Sequence, residues 1–382
     1  MSELSAPPIY LDHNASTPVP PRVREAMLRA LEEGFGNPSA DHCYGRRARA
    51  FVDQARGRVA ALVGCDEDEV VFTGGGTEAN NLALRGFAAR AGGGLTLVLS
   101  AVEHPATDAP AAVLAAAGAT VKRVPVDALG VVDPAAVEQA LGAVSGPALV
   151  SVLLAQNETG VLQPLRAIAA AAKARGACVH TDAAQAVGKI QVRVRELGVD
   201  LLSIAGHKLY ASKGVGALYV RRGVSLAPLV VGAGHEHGLR PGTENVAGIV
   251  GLGEACALAC EGLSIEAARQ QALRERLEAR LAVGGFVVHG AGAPRLPNTV
   301  NGRFPGVRGS ALLARAPGIA ASTGSACHAG EERPSQVLSA MGLGAEDALG
   351  AVRLTLGRWT TEEDIDRASE ILLAAAGSLA RR

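Results

Sequence analysis

The chain is 382 residues long, with a formal net charge of zero and no run of like charge, so it offers neither the basic face that a nucleic-acid partner needs nor a charged tail. Hydrophobic residues make up 48% and aromatic ones only 3%, so the core must be aliphatic, and the length suits two domains or one large domain with an annex. Six cysteines without a CxxC pair do not read as a disulfide or zinc framework, Met1 to Pro8 has no basic-then-apolar leader, and the longest apolar runs break before membrane-spanning length, so the expectation is a cytoplasmic protein with no membrane or nucleic-acid partner and no bound metal.

In chain order, Ile9 to Asn14 reads as a short strand ending in polar residues. Arg22 to Glu33 reads as a helix with prolines at its start, and Gly45 to Val63 as a longer one that Gly64 closes. Val70 to Thr73 is a strand, followed by Gly74-Gly-Gly-Thr-Glu-Ala-Asn-Asn81 and a helix through Ala91. A strand, a glycine turn and a helix N-terminus together make an anion site, because free N–H groups point outward and the helix dipole favours negative charge. Gly74, Gly76 and Ala79 also fit the G-x-G-x-x-A of a dinucleotide site, although the acidic residue expected at the end of the next strand comes late, at Glu103.

Strands at Leu95–Ser100, Thr120–Val124, Leu149–Leu154 and Cys178–Asp182 alternate with helices at Thr107–Ala117, Pro134–Ala143 and Leu165–Arg175, and β-rich runs follow at Asp200–Ala205 and Val215–Val220. Alternation of this kind gives an α/β fold with a mostly parallel, covered sheet. Polar residues recur just past the strand ends: Thr77, His104, Asn157, Asp182, Gln185, His207 and Lys208. Each alone could be a cap or a turn residue, but together they share the sheet edge where open α/β sheets bind ligands. Lys208 is either a solvated turn lysine or a buried amine that gives up its charge by forming an imine with a carbonyl cofactor. A phosphate at Thr77, a carboxylate at Asp182 for a pyridine nitrogen, the His104 imidazole against a ring and the Lys208 amine on an aldehyde are the requirements of pyridoxal phosphate.

The second half reads as a helix at Val246–Ala259 and a charged amphipathic helix at Ile265–Arg280 that opens a smaller domain. Strands at Phe286–His289 and Thr299–Asn301 precede a Gly- and Ser-rich loop, Ala321 to Gly330, that carries Cys327. A helix at Pro334–Met341, a strand at Ala351–Leu356 and a helix from Thr361 close the chain. A cysteine in a polar loop differs from Cys178, Cys256 and Cys260, whose apolar neighbours suit inert core positions.

Leu11-Asp-His-Asn-Ala-Ser-Thr-Pro18, Thr73-Gly-Gly-Gly-Thr-Glu-Ala-Asn-Asn81, Val102-Glu-His-Pro105, Gln156-Asn-Glu-Thr-Gly160, His180-Thr-Asp-Ala-Ala-Gln185, Gly206-His-Lys208 and Arg240-Pro-Gly-Thr-Glu-Asn245 together resemble the cysteine desulfurase and selenocysteine lyase family, from about Ile9 to about Ala368. The resemblance implies a fold-type I pyridoxal-phosphate enzyme of the class V aminotransferase group. Its large domain, residues 15–262, would hold a mostly parallel seven-stranded sheet flanked by helices. Residues 1–14 and 263–382 would form a smaller α+β domain carrying the catalytic cysteine. Lys208 would be the Schiff-base lysine. Gly76, Thr77 and His207 would hold the phosphate, with Thr243 reaching it from the partner subunit of a homodimer. His104 would stack on the ring, Asp182 would pair with its nitrogen and Gln185 would contact its hydroxyl. Asn157 and Arg353 would hold the substrate carboxylate, for which a planar arginine fork is suited. Cys327 would take the sulfur of L-cysteine as a persulfide and pass it to an acceptor protein, leaving L-alanine.

Two departures from the family pattern are Ala205, where many desulfurases place a serine that contacts the phosphate, and His328, where a small hydroxyl residue is usual. Both lean toward the selenocysteine lyase branch, which acts on L-selenocysteine. An inactive scaffold of the same fold would not need Lys208, Asp182 and Cys327 intact.

Overall fold

Short buried strands alternating with helices build the first two-thirds of the chain, as the sequence pattern implies. The structure, a computed structural model, describes residues 7–142, 146–323, 326–328 and 331–380, apart from the side chains of 326–328, 331 and 332. The expected helix end at Ala143, the segment Met1 to Ala6 and the side chains of Cys327 and His328 therefore lie outside the described residues.

Strand β1 (Ile9–Tyr10) leads into helices α1 (Pro21–Glu33) and α2 (Cys43–Val63). Then come β2 (Val70–Thr73), α3 (Gly76–Ala91), β3 (Thr96–Ser100), α4 (Pro105–Ala116), β4 (Thr120–Val124), α5 (Pro134–Leu141), β5 (Ala148–Ser151), α6 (Leu165–Ala174), β6 (Cys178–Asp182), α7 (Val194–Leu197), β7 (Leu201–Ala205) and β8 (Gly216–Val220). Seven of these strands form one sheet in the order β2-β8-β7-β6-β5-β3-β4. The pairings from β4 through β7 are parallel, and only β8 runs antiparallel, between β7 and β2. Every residue of β2, β3, β5, β7 and β8 is buried, which is the signature of a sheet covered on both faces. The edge strand β4 is mostly exposed and carries Lys122 and Arg123, charges that discourage another strand from pairing there. Asp182 at the end of β6 lies opposite Ser203 of β7, so the turn that carries Lys208 leaves the sheet beside Asp182.

The second half departs from expectation at one helix. Val246–Ala259 and Ile265–Arg280 are not separate; a single 37-residue helix, α8 (Val246–Ala282), runs through both. Gly262 does not break it, because glycine inside a helix costs only about 1 kcal/mol and both ends are anchored by burial. Ile249, Leu252, Ala255, Cys256 and Ala259 pack into the core on one face of the seven-stranded sheet. Leu273, Leu277 and Leu281 pack into a second core with Leu11, Phe286, Val300, Leu354 and Leu372. By length and composition α8 could cross a membrane, contrary to the reading of the apolar runs, but 56% of its apolar window is buried inside the protein. Cys260 is exposed on this helix and Cys178 is half-buried, so of the three cysteines expected in the core only Cys256 is fully enclosed.

After α8 come β9 (Val287–Val288), β10 (Thr299–Arg303), α9 (Gly309–Arg315), β11 (Ile319–Ala320), β12 (Ser322–Thr323), β13 (Ala326–His328), β14 (Glu331–Arg333), α10 (Gln336–Ala340), α11 (Ala345–Leu349), β15 (Val352–Thr355) and α12 (Glu362–Ala380), of which α10 and α11 pack in a smaller cluster with Val102 and Leu153. Strands β12-β15-β10-β9 form a four-stranded antiparallel sheet, and β1 pairs with β11. The segment expected as a loop around Cys327 is instead a small antiparallel hairpin, β13 with β14, in which Cys327 lies opposite Glu332. Backbone pairing there satisfies N–H and C=O groups that a loop would leave to water.

Candidate active site

A cavity of about 330 Å³ opens where the strand ends of the large sheet meet β15. It is lined by Gly76, Thr77, His104, Asn157, Asp182, Gln185, His207, Lys208 and Arg353, so the residues predicted from the large sheet and the predicted substrate arginine come together in one place. Thr243 does not line it; it is exposed in the loop that precedes α8.

Each side chain is placed by its element. The glycine turn before α3 puts Gly75 at φ 147°, a conformation that favours glycine, and no side chain caps the helix. A Cβ on Gly76 would come 3.1 Å from the Ala205 Cβ, so glycine keeps this helix N-terminus against the end of β7. The first-turn N–H groups are thereby left for an anion. His104 caps α4, its Nδ1 accepting from the Ala106 N–H at 3.0 Å. Burial, with the nearby Lys208 amine, holds its pKa below the ordinary histidine value, so the ring is neutral at physiological pH. Asp182 accepts at both oxygens, from Asn80 Nδ2 at 2.7 Å and from the Ala184 N–H at 2.9 Å.

Lys208 sits in a single 3₁₀ turn after β7. Thr17 clamps that turn: its N–H and hydroxyl both donate to the His207 carbonyl, at 2.9 and 2.8 Å, and its hydroxyl accepts from the Tyr210 N–H at 2.8 Å. Tyr210 holds φ 66°, a left-handed conformation rare outside glycine, which the clamp stabilises. Burial lowers the Lys208 pKa and Arg353 adds to the effect, while Asp182 opposes it. An amine held below its ordinary value is a better nucleophile and a readier proton carrier near neutral pH.

The opposite wall belongs to β15. Arg353 forms an ion pair with Asp12, Nη2 to Oδ1 at 2.7 Å, and donates from Nη1 to the Asn157 carbonyl at 3.2 Å. Its Nε is buried and has no hydrogen-bond partner among the described residues. The side chain lines the cavity, and a guanidinium there suits a carboxylate.

Three residues of the site were not singled out from sequence. Asn80, fully buried on α3, holds Asp182; it lies one helical turn after Gly76 and Thr77, and a buried amide among alanines and leucines was the available signal. Asn14 donates to the Asn157 carbonyl and to Thr299 and accepts from Lys189 and Asn298, and Asp12 holds Arg353. Residues 12–17 thus form the seam between the sheet wall and the β15 wall, which a reading of them as the end of a strand did not reveal.

The donor set fits pyridoxal phosphate. An uncapped helix N-terminus suits the phosphate, a doubly hydrogen-bonded carboxylate suits the pyridine nitrogen, and a buried amine of lowered pKa suits the aldehyde. The fold and this site define a fold-type I pyridoxal-phosphate enzyme. Residues 9–368 match the aminotransferase class-V family model, and the chain belongs to that family. It is 42% identical over 369 residues to the cysteine desulfurase IscS of Dictyoglomus turgidum, covering 95% of this chain and 93% of the relative. It is 45% identical over 370 residues to a cysteine desulfurase of Gluconacetobacter diazotrophicus, covering 95% and 92%. Among solved structures, a NifS-like protein superposes with a TM-score of 0.90 at 36% identity, over 97% of this chain and 100% of that one. SspA in complex with cysteine superposes with a TM-score of 0.81 at 32% identity, over 92% and 99%.

Proposed function

We propose that this protein is a pyridoxal-phosphate-dependent cysteine desulfurase that converts L-cysteine to L-alanine and transfers the sulfur to Cys327. The observation that carries this reading is the convergence of Lys208, Asp182, His104 and Arg353 on one cavity beside the helix N-terminus at Gly76 and Thr77. Bound at that cavity, pyridoxal phosphate supplies an electron sink for bonds at the substrate's α and β carbons.

The chain's residues do the rest. Gly76, Thr77 and His207 would hold the phosphate, Asp182 would pair with the ring nitrogen, Gln185 would contact the ring oxygen and His104 would stack on the ring. Arg353 and Asn157 take the substrate carboxylate and so orient the thiol-bearing carbon. Lys208 carries protons between the substrate carbons, a role its lowered pKa supports. The Cys327 thiolate attacks the substrate sulfur: an S–S bond forms, the C–S bond breaks, and its electron pair stays with the carbon, which is protonated to give alanine. The products are alanine and one persulfide for each cysteine consumed, with the persulfide passing to an acceptor protein.

The reading includes a homodimer, in which Thr243 serves the partner's site, and a cytoplasmic setting. It also includes a division into residues 15–262 and residues 1–14 with 263–382, supported by two separate hydrophobic cores bridged by α8. Ala205 lines the cavity without a hydroxyl, and that keeps L-selenocysteine as a second substrate. Alanine assays with each amino acid test both readings. Turnover of L-cysteine supports the desulfurase; turnover of L-selenocysteine alone would replace it with the lyase.

A further inference from the structure

Behind the proposed cofactor wall lies a second lysine that the reaction does not use. Lys189 is only 7% exposed. Its Nζ donates to the Gln185 Oε1 at 2.7 Å and to the Asn14 Oδ1 at 2.9 Å, so both of these partners are amide oxygens. Burial first, and then the cations Lys208 and Arg353, hold its pKa well below the ordinary lysine value; among the described residues the titratable His13 and His207 also lie near it. Enclosing an amine there is costly unless its position is needed.

The consequence falls on Gln185. An amide side chain has one oxygen end and one nitrogen end, and its flip is set by its neighbours. An ammonium only donates, so Lys189 in its charged form, at 2.7 Å, holds the oxygen of Gln185 on its own side. The Gln185 Nε2 then donates one hydrogen to the Asn14 carbonyl at 2.9 Å. Its second hydrogen remains for the cavity that Gln185 lines.

We propose that Lys189 is a positioning residue that locks the Gln185 amide so that it presents an N–H, and not its carbonyl oxygen, to the ring oxygen of the cofactor. This rests on the reading that Gln185 faces that oxygen. Without Lys189 the oxygen end loses its donor and the Asn14 carbonyl alone still holds the amide, so its N–H is aimed less firmly at an anionic oxygen. The ionised ring oxygen is then disfavoured, and the bound cofactor holds its proton to higher pH. The lock assigns the effect of Lys189 on the cofactor to Gln185, so its removal is expected to have no further effect once Gln185 is gone.

The test is the pH midpoint of the visible absorbance change of the loaded enzyme, with cofactor affinity read by titrating cofactor into stripped protein. Lys189→Met is expected to raise the midpoint by about 1 pH unit and to weaken cofactor binding roughly tenfold. Gln185→Ala is expected to raise the midpoint too, and the double variant to match Gln185→Ala alone. Lys189→Leu serves as the second variant should the methionine protein not fold. A Lys189 variant that lowers the melting temperature with no midpoint shift, or that shifts it equally with and without Gln185, overturns the proposal. Should Gln185→Ala itself leave the midpoint unchanged, it is the placing of Gln185 against the ring that fails, and the proposal with it; a shift in Gln185→Ala with none in Lys189→Met contradicts the lock alone.

Discussion

The two walls of the cavity are built differently. On the sheet wall, Asp182, Gln185 and the Lys208 turn are held by buried amides, a buried amine and a threonine clamp, all close to the ends of β6 and β7. On the other wall, Arg353 stands on a strand of the second core and is held by one carboxylate and one carbonyl, its Nε having no partner among the described residues. The first wall is fixed in detail, as a cofactor that stays bound requires. The second holds its arginine with fewer partners and presents it to the cavity, as suits a substrate that comes and goes. Substitutions on the two walls should therefore separate: the first wall governs cofactor binding, the second governs KM.

The largest effect is expected from Lys208→Ala, which removes the amine proposed to link the cofactor. Activity should fall by roughly 10³-fold or more, and the visible absorbance of the bound cofactor should shift or vanish. Next, Asn80→Ala takes one charge-assisted hydrogen bond from Asp182, worth about 1.5–3 kcal/mol. Cofactor titration should show roughly 10–100-fold weaker binding, with the KM for cysteine little changed. A change in KM alone would merge the two walls and break the comparison.

Arg353→Lys tests the opposite wall. It keeps the charge but loses the planar fork, and is expected to raise KM about tenfold while cofactor affinity stays at the wild-type value. A tight cofactor titration together with a raised KM is the pattern that sharpens the contrast.

The last expectation concerns stability and not catalysis. Glu103, just before His104, is buried; its Oε1 accepts from the Ser100 hydroxyl and the Leu153 N–H, while its Oε2 has no partner among the described residues. Burial pushes its pKa up to about 8. Between the ordinary carboxylate value and pH 8 the folded state therefore holds a proton that the unfolded state has lost. Stability is full below that range and declines as pH rises through it, by about 1.4 kcal/mol per pH unit. Glu103→Gln should flatten this slope in denaturant titrations at pH 5 to 8; an unchanged slope would mean that Glu103 is ionised in the fold.

The polar residues at strand ends were legible because a parallel sheet puts its loops on one edge, so His104, Asp182 and Lys208 could be grouped before any coordinates. Arg353 was placed by resemblance, since nothing in its local pattern joins β15 to the large sheet. Asn80 and Lys189 escaped because their work is done by long-range burial, and a sequence shows an amide on a helix or a lysine after a turn without showing what encloses it. The continuous α8 escaped for a related reason: the glycine near its middle reads as a break, and only the two cores at its ends outweigh it. The hairpin at Cys327 was hidden by its glycines and serines, which read as a loop while β13 and β14 pair.

The central claim, that sulfur leaves L-cysteine by way of Cys327, is tested most directly by one paired measurement: alanine released from L-cysteine, and the intact mass of the protein, for wild type and Cys327→Ala. The account predicts alanine and the gain of one sulfur atom in the wild type, and neither in the variant, with the cofactor still bound in both. Alanine released by Cys327→Ala at the wild-type rate would contradict it.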